Sequence, residues 1–292
     1  MPLTALALVL VAALLHATWN LAAKKAGGDH HLVLFNCLLI ALLWAPLGVW
    51  AAWDALPAWG GLQWGLVLAS GLINLLYLHV LLKGYRVSDL TVVYPVARGS
   101  APLFILLGAM LFLAEPLRWA TLAGVLCISA GIWLIAGGPQ LLSKAQDPTQ
   151  RQRVHAGLAW GGLTGLLIAT YTVIDGYAVK VALVSPILLF YLGNLLRLPF
   201  TLPQVWQDRA RLAQAWRTQW RYALVMASLA PLAYVLVLYA VQQAPLSHVA
   251  PAREVSMLFA ALLGGRLLGE QDRGARLAGA AAMALGVAAL SL

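Results

Sequence analysis

Residues 94–131 read YPVARGSAPLFILLGAMLFLAEPLRWATLAGVLCISAG, and residues 249–286 read VAPAREVSMLFAALLGGRLLGEQDRGARLAGAAAMALG. Laid in register 155 residues apart, Arg98 meets Arg253, Glu115 meets Glu270, Gly124 meets Gly279 and Gly131 meets Gly286. Leu103, Phe104 and Leu107 fall on Leu258, Phe259 and Leu262, and Leu122 and Ala123 fall on Leu277 and Ala278. A shift of 152 brings Leu14, Leu15, Ala17 and Thr18 onto Leu166, Leu167, Ala169 and Thr170. Apolar matches mean little in such a composition. Two rare ions and two glycines in one register identify an internal repeat.

The composition names the solvent of that repeat. The chain has 292 residues, 62% apolar and 10% charged. An ordinary soluble domain has about 25% charged and 45–50% apolar residues. A soluble fold of this size needs more polar surface than the sequence supplies, and disorder needs low hydrophobicity. Lipid is the solvent for most of the chain. A bilayer core takes about 20 apolar helical residues per crossing. Ten runs qualify: 3–22, 32–52, 62–82, 90–113, 119–138, 157–178, 183–205, 221–241, 245–268 and 275–292. The runs are continuous rather than alternating, which excludes a membrane barrel. The sequence therefore predicts an all-α integral membrane protein with two five-helix repeats, residues 1–138 and 157–292, joined by a loop at 139–156. Five is odd, so the second repeat enters the membrane from the opposite side. Inverted repeats of this kind are the signature of a secondary transporter with its site in a central cavity between the halves.

The formal net charge of +9 does not point to nucleic acid, because the basic residues occupy the gaps between runs. Gaps 1, 3, 5, 7 and 9 hold Lys24, Lys25, Lys83, Arg86, Lys144, Arg151, Arg153, Arg209, Arg211, Arg217, Arg221, Arg266, Arg273 and Arg276, fourteen in all, against Arg118 and Lys180 in the even gaps. By the positive-inside rule the odd gaps face the cytoplasm and both termini lie outside, in the cell's inner (plasma) membrane. Residues 1–23 lack a basic stretch before the apolar run, the arrangement of a signal anchor rather than a cleaved leader. Trp50, Trp53, Trp59 and Trp64 bracket the second gap and Trp206, Trp216 and Trp220 the seventh, as an interfacial aromatic belt. Cys37 and Cys127 have no paired spacing and read as small buried hydrophobes.

The run His16-Ala17-Thr18-Trp19-Asn20 followed by Lys24-Lys25 resembles the first helix of the EamA-type drug/metabolite transporters. So does Pro251-Ala252-Arg253-Glu254-Val255-Ser256 leading to Leu268-Gly269-Glu270 and a Gly-rich last helix. The resemblance covers the whole chain as two tandem units. It implies ten helices, a central cavity and transport, often export, of small metabolites such as amino acids. Its motifs specify the family and leave the substrate open.

Ionisable groups inside a membrane helix are costly and need a reason. Arg98 and Arg253 lie about nine residues into their runs, roughly 12–14 Å deep. Pro95 and Pro251 precede them, and each loosens its helix. The arginines either bind a substrate carboxylate or phosphate bidentately or tie down freed carbonyls and Glu254. Glu254 is the deepest carboxylate and the candidate proton carrier, since desolvation favours the neutral acid while Arg253 beside it favours the anion. Glu115 and Glu270 read as caps of the fifth and tenth helices, and Asp175 as interfacial. His16, Trp19 and Asn20 share a helix face. With Asn36, Asn74, Tyr77, Tyr94, Thr170, Tyr171, Asn194, Arg197 and Ser256 they form a candidate cavity lining, each also able to serve as interhelical glue.

His79 and His248 stand alone, so no metal site is expected. No Gly-x-x-x-x-Gly-Lys-Ser/Thr loop occurs, so ATP does not drive the protein directly, and no cofactor is implied. An intramembrane enzyme acting on a lipid-like substrate is the rival class, but no nucleophile, base or metal cluster supports it. The expected partners are a small-molecule substrate and the bilayer, with no nucleic acid. A monomer is sufficient.

Overall fold

Backbone N–H and C=O groups have no water to bond in a bilayer, so a chain this apolar must satisfy them within helices. The computed structural model describes residues 1–27, 30–136, 148–263 and 273–291, and these contain helices and turns without strands. The helices are α1 (Leu3–Lys25), α2 (His30–Leu43), α3 (Ala45–Ala55), α4 (Gly61–Val87), α5 (Leu90–Phe112), α6 (Trp119–Ile135), α7 (Pro148–Lys180), α8 (Pro186–Gln207), α9 (Leu212–Gln243), α10 (Leu246–Arg253), α11 (Ser256–Leu263) and α12 (Arg273–Ser291). Among the described residues, five stretches are long and apolar enough to cross a membrane, or six if the bent pair α2–α3 is one span.

Several sequence-based boundaries move, each for a local reason. The run 32–52 is broken: α2 and the α3 segment meet at 58°. Pro46 sits in the first turn of α3 and has no N–H to continue the α2 ladder. The run 245–268 is also broken, between α10 and α11. There the N–H of Glu254 bonds Pro251 O at 3.0 Å and that of Val255 bonds Ala252 O at 3.2 Å, three-residue bonds that tighten the backbone. The matched run 90–113 does not break. α5 runs through Pro95 and Pro102, so a proline in this register is not enough. The gap at 206–220 is almost all helix. Only a short turn at Arg209–Arg211 separates α8 from α9, which carries Trp216, Arg217 and Trp220 out of the apolar zone. Lys144, Asp147, Arg266 and Glu270 lie outside the described residues.

The helices pack across the two halves of the sequence. α1 lies on α9 and α11, α4 on α7 and α8, α5 on α7, and α2 on α9 and α8. In repeat order each of these contacts has a counterpart: first run on eighth and third on sixth, first on ninth and fourth on sixth, second on eighth and third on seventh. The last runs of the two halves, α6 and α12, pack on each other. A Cβ at Gly131 would stand 2.6 Å from the carbonyl oxygen of Gly279, and one at Gly279 2.7 Å from that of Gly131. The second pair is the same: Gly124 to Gly286 O 2.9 Å, Gly286 to Gly124 O 2.7 Å. Repeat-related glycines thus exchange partners across an antiparallel interface. Only glycine permits backbones this close, as at small-residue contacts between membrane helices.

Candidate functional site

The converging helices leave a cavity of about 340 Å³. α1 brings His16, Trp19 and Asn20 to it. The spacing of three sets the His16 and Trp19 rings edge to face at 4.9 Å, and Asn20 Nδ2 donates to His16 O at 2.7 Å. α2 adds Asn36, α4 adds Asn74 and Tyr77, and α5 adds Tyr94 and Arg98. Tyr171 of α7, Arg197 of α8 and Arg253 of α10 complete the lining foreseen in the sequence. Three arginines set within apolar runs, Arg98, Arg197 and Arg253, reach this one cavity.

Three residues expected in the lining are elsewhere. Thr170 Oγ1 donates to Leu166 O of its own helix at 2.8 Å, as its repeat partner Thr18 does to Leu14 O at 2.9 Å. Asn194 is buried between α8 and α2, its Nδ2 donating to Cys37 O at 3.0 Å. Ser256 is buried at the start of α11, outside the lining.

Glu254 sits behind the lining, between the two repeat-related arginines. Arg98 Nε approaches Glu254 Oε2 at 3.1 Å, and Arg253 Nη2 approaches Oε1 at 3.6 Å. Neither approach has hydrogen-bond alignment, so the triad is held by charge rather than by a fork-to-carboxylate pair. The Arg98 guanidinium also stands 6.0 Å from the Tyr94 ring centroid. Arg197 is held differently, its Nη2 donating to Asn74 Oδ1 at 2.6 Å.

The sequence reading left three lining residues, Asp175, Tyr234 and Ser70, out of the cavity. Asp175 is only 3% exposed, not interfacial, and lines the cavity from α7. Tyr234 of α9 donates its phenolic O–H to Asp175 Oδ2, and Ser70 of α4 lies beside the carboxylate. Position near a run's end suggested an interface, but neighbouring helices cover that end. The usable signal was the carboxylate itself, since any ionisable group inside an apolar run is a site candidate.

Glu115 also acts across the halves rather than on its own next helix. Its carboxylate accepts from Leu246 N at 2.6 Å, Ser247 N at 3.0 Å and Ser247 Oγ at 2.6 Å, capping α10 instead of the fifth run. Lys180 Nζ stands 3.6 Å from it and donates to Ala244 O at 2.7 Å. His248 is fastened in the same region, with Nε2 2.9 Å from Thr121 Oγ1 and Nδ1 2.8 Å from Leu290 O. His79 Nδ1 meets its own helix, at Leu75 O 2.8 Å away. His30, His31 and Asp208 bring ligand atoms within 4.8 Å of one another outside the cavity. That grouping, which the sequence reading did not foresee, is already occupied by internal contacts: His30 Nε2 lies 3.7 Å from Asp208 Oδ2 and His31 Nε2 3.2 Å from Asp208 O.

The repeat-matched segments around the cavity differ in exposure. Tyr94, near the start of α5, is 37% exposed, whereas every residue from Leu246 to Ser256 is buried. A many-helix membrane protein with charged side chains around an internal cavity suits a solute carrier. The chain belongs to the EamA-like transporter family, whose model matches residues 3–137 and again residues 155–292. It is a multi-pass membrane transporter of the drug/metabolite superfamily. A solved protein crystal structure is similar in fold, with a TM-score of 0.66 over 99% of this chain and 96% of that one, at 17% identity. No curated protein matches the sequence.

Proposed function

We propose that the protein is a secondary transporter that moves a small polar metabolite, an amino acid or related compound, by alternating access, in the direction of export. The observation that carries the proposal is the difference between two repeat-matched segments that bound one cavity, residues 91–100 and 246–255. The first is partly exposed and the second is buried. Two inverted five-helix units, residues 1–138 and 157–292 with 139–156 between them, would give ten spans and exchange these two states. The exposed segment adjoins an odd loop. With those loops in the cytoplasm and both termini outside, as their charge predicts, this is the loading state of an exporter in the inner membrane. Occupancy needs only one chain.

Coupling in this proposal runs through Glu254. As an anion it neutralises Arg98 and Arg253, the repeat-related pair. A proton on Glu254, or a substrate anion competing for Arg98, releases the arginines and loosens the tie between α5 and the α10–α11 break. Purified protein in liposomes, assayed for counterflow against a panel of amino acids, tests the transport reading, and absence of exchange for the whole panel refutes it. Glu254→Gln should abolish accumulation driven by a proton gradient while sparing exchange. Unchanged gradient-driven uptake in that variant removes Glu254 from the coupling.

A further inference from the structure

The Glu254 triad leaves one buried carboxylate in the bundle unused. Asp175 lines the cavity from α7 and has no ion-pair partner within 4 Å among the described residues. One carboxylate oxygen is held by the Tyr234 hydroxyl, Ser70 lies beside the carboxylate, and the other oxygen, Oδ1, is buried without an aligned hydrogen bond. A charge taken out of water without a counterion is expensive, and a protein keeps one where a ligand completes it.

The surroundings decide which ligand. Tyr234 packs on Phe190 with centroids 5.8 Å apart, and Tyr171, one helical turn before Asp175, packs on Tyr77 at 5.7 Å. Tyr171, Tyr77 and Tyr234 belong to one apolar cluster beside the carboxylate. Aromatic faces around an acceptor suit an organic cation, which gains from ring quadrupoles and from the carboxylate together. A hydrated inorganic ion needs a cage of oxygen ligands instead. The charge balance adds a second condition. Arg98, Arg197 and Arg253 against Glu254 and Asp175 leave the bundle one positive charge in excess, so a bare cation is disfavoured. A zwitterion adds no charge.

We propose that Asp175, with Tyr234 and Ser70, binds the ammonium group of a zwitterionic substrate in the cavity, leaving its anionic group to the arginines. This rests on the transport reading and specifies its substrate class.

Two probe pairs that differ only in the ammonium group test the site by titration calorimetry on purified full-length protein: L-phenylalanine with 3-phenylpropionate, and L-leucine with 4-methylpentanoate. In the wild type, at least one amino acid should bind about tenfold or more tightly than its deaminated partner, the scale of a hydrogen bond to a charged group. Asp175→Asn should erase that preference by weakening the amino acid alone. Tyr234→Phe, which keeps the ring, should reduce it severalfold and serves if Asp175→Asn does not fold. Equal binding within both pairs, no binding by either amino acid, or a preference that survives the variants overturns the proposal. Counterflow of the same compounds separates the two readings. Asp175-dependent binding without exchange leaves the site standing and refutes transport, whereas exchange that ignores the ammonium group refutes the site and leaves transport standing.

Discussion

Residues 91–100 and 246–255 descend from one pattern and stand in different environments. In the first, Thr91 and Tyr94 are exposed and Val96, Arg98 and Ser100 are partly so; in the second, Leu246, Val249, Pro251, Arg253 and Val255 are all buried. Their sequences differ most where Gly99 meets Glu254, and their helices differ there too. α5 runs on unbroken, and the other segment splits into α10 and α11. Glu115 pins the amino end of α10, and Glu254 sits at its carboxyl end between two arginines. The comparison teaches that the buried segment is the one held by polar and charged contacts made across the repeats. In the proposed cycle such contacts are exchanged, while the close glycine interface of α6 and α12 stays in place.

The largest effect should come from removing the Glu115 contacts. Glu115→Ala leaves the N–H groups of Leu246 and Ser247 and the Lys180 ammonium without their acceptor. A loss of about 3 kcal/mol follows, since part-buried donors are left without their acceptor. Detergent denaturation of the purified variant checks it, and a loss under 1 kcal/mol would mean that the segment is held elsewhere. Gly131→Ala pushes a methyl against the Gly279 carbonyl, so α6 and α12 must part. Overpacking of this kind costs about 1–3 kcal/mol, and Gly286→Ala, whose methyl would meet the Gly124 carbonyl, should match it because Gly131 and Gly286 are repeat partners. Unequal costs would break the symmetry on which the comparison stands.

Arg98→Lys keeps the charge facing Glu254 but loses the planar fork. We expect counterflow to fall about tenfold or more, with a stability change of only about 1 kcal/mol. Equal loss of both would make Arg98 structural. Thr170→Val should be the smallest effect, within about 0.5 kcal/mol and without change in transport, because Thr170 and its partner Thr18 both bond their own helices. A transport defect there would return Thr170 to the cavity.

Much of this architecture could be read from the chain. Hydropathy marked the helical segments, and the register of Arg98 with Arg253 and of Gly124 and Gly131 with Gly279 and Gly286 marked the repeat. Helical spacing brought His16, Trp19 and Asn20 together, and in-run charge drew notice to Arg98, Arg197 and Arg253. What escaped were properties of pairs of helices. The burial of Asp175 depends on what covers the end of α7. The destination of Asn194 depends on the position of α2. Glu115 caps α10, 131 residues away, which no local capping rule reaches. The break after Pro251 and the continuity through Pro95 show the same limit, since tertiary contacts at Glu254 rather than proline alone set the difference.

The central claim is that the two matched segments alternate, so that opening one closes the other. Tyr94→Cys and Val249→Cys, placed at matched repeat positions in a background with Cys37 and Cys127 replaced by alanine, report on the two ends. Maleimide labelling rates at both sites are measured in liposomes, with and without Glu115→Gln to loosen the buried segment. With Glu115 intact, the cysteine at 94 should label readily and the one at 249 should not. With Glu115→Gln, labelling at 249 should rise and labelling at 94 should fall in step. A rise at 249 with no fall at 94 would contradict alternation.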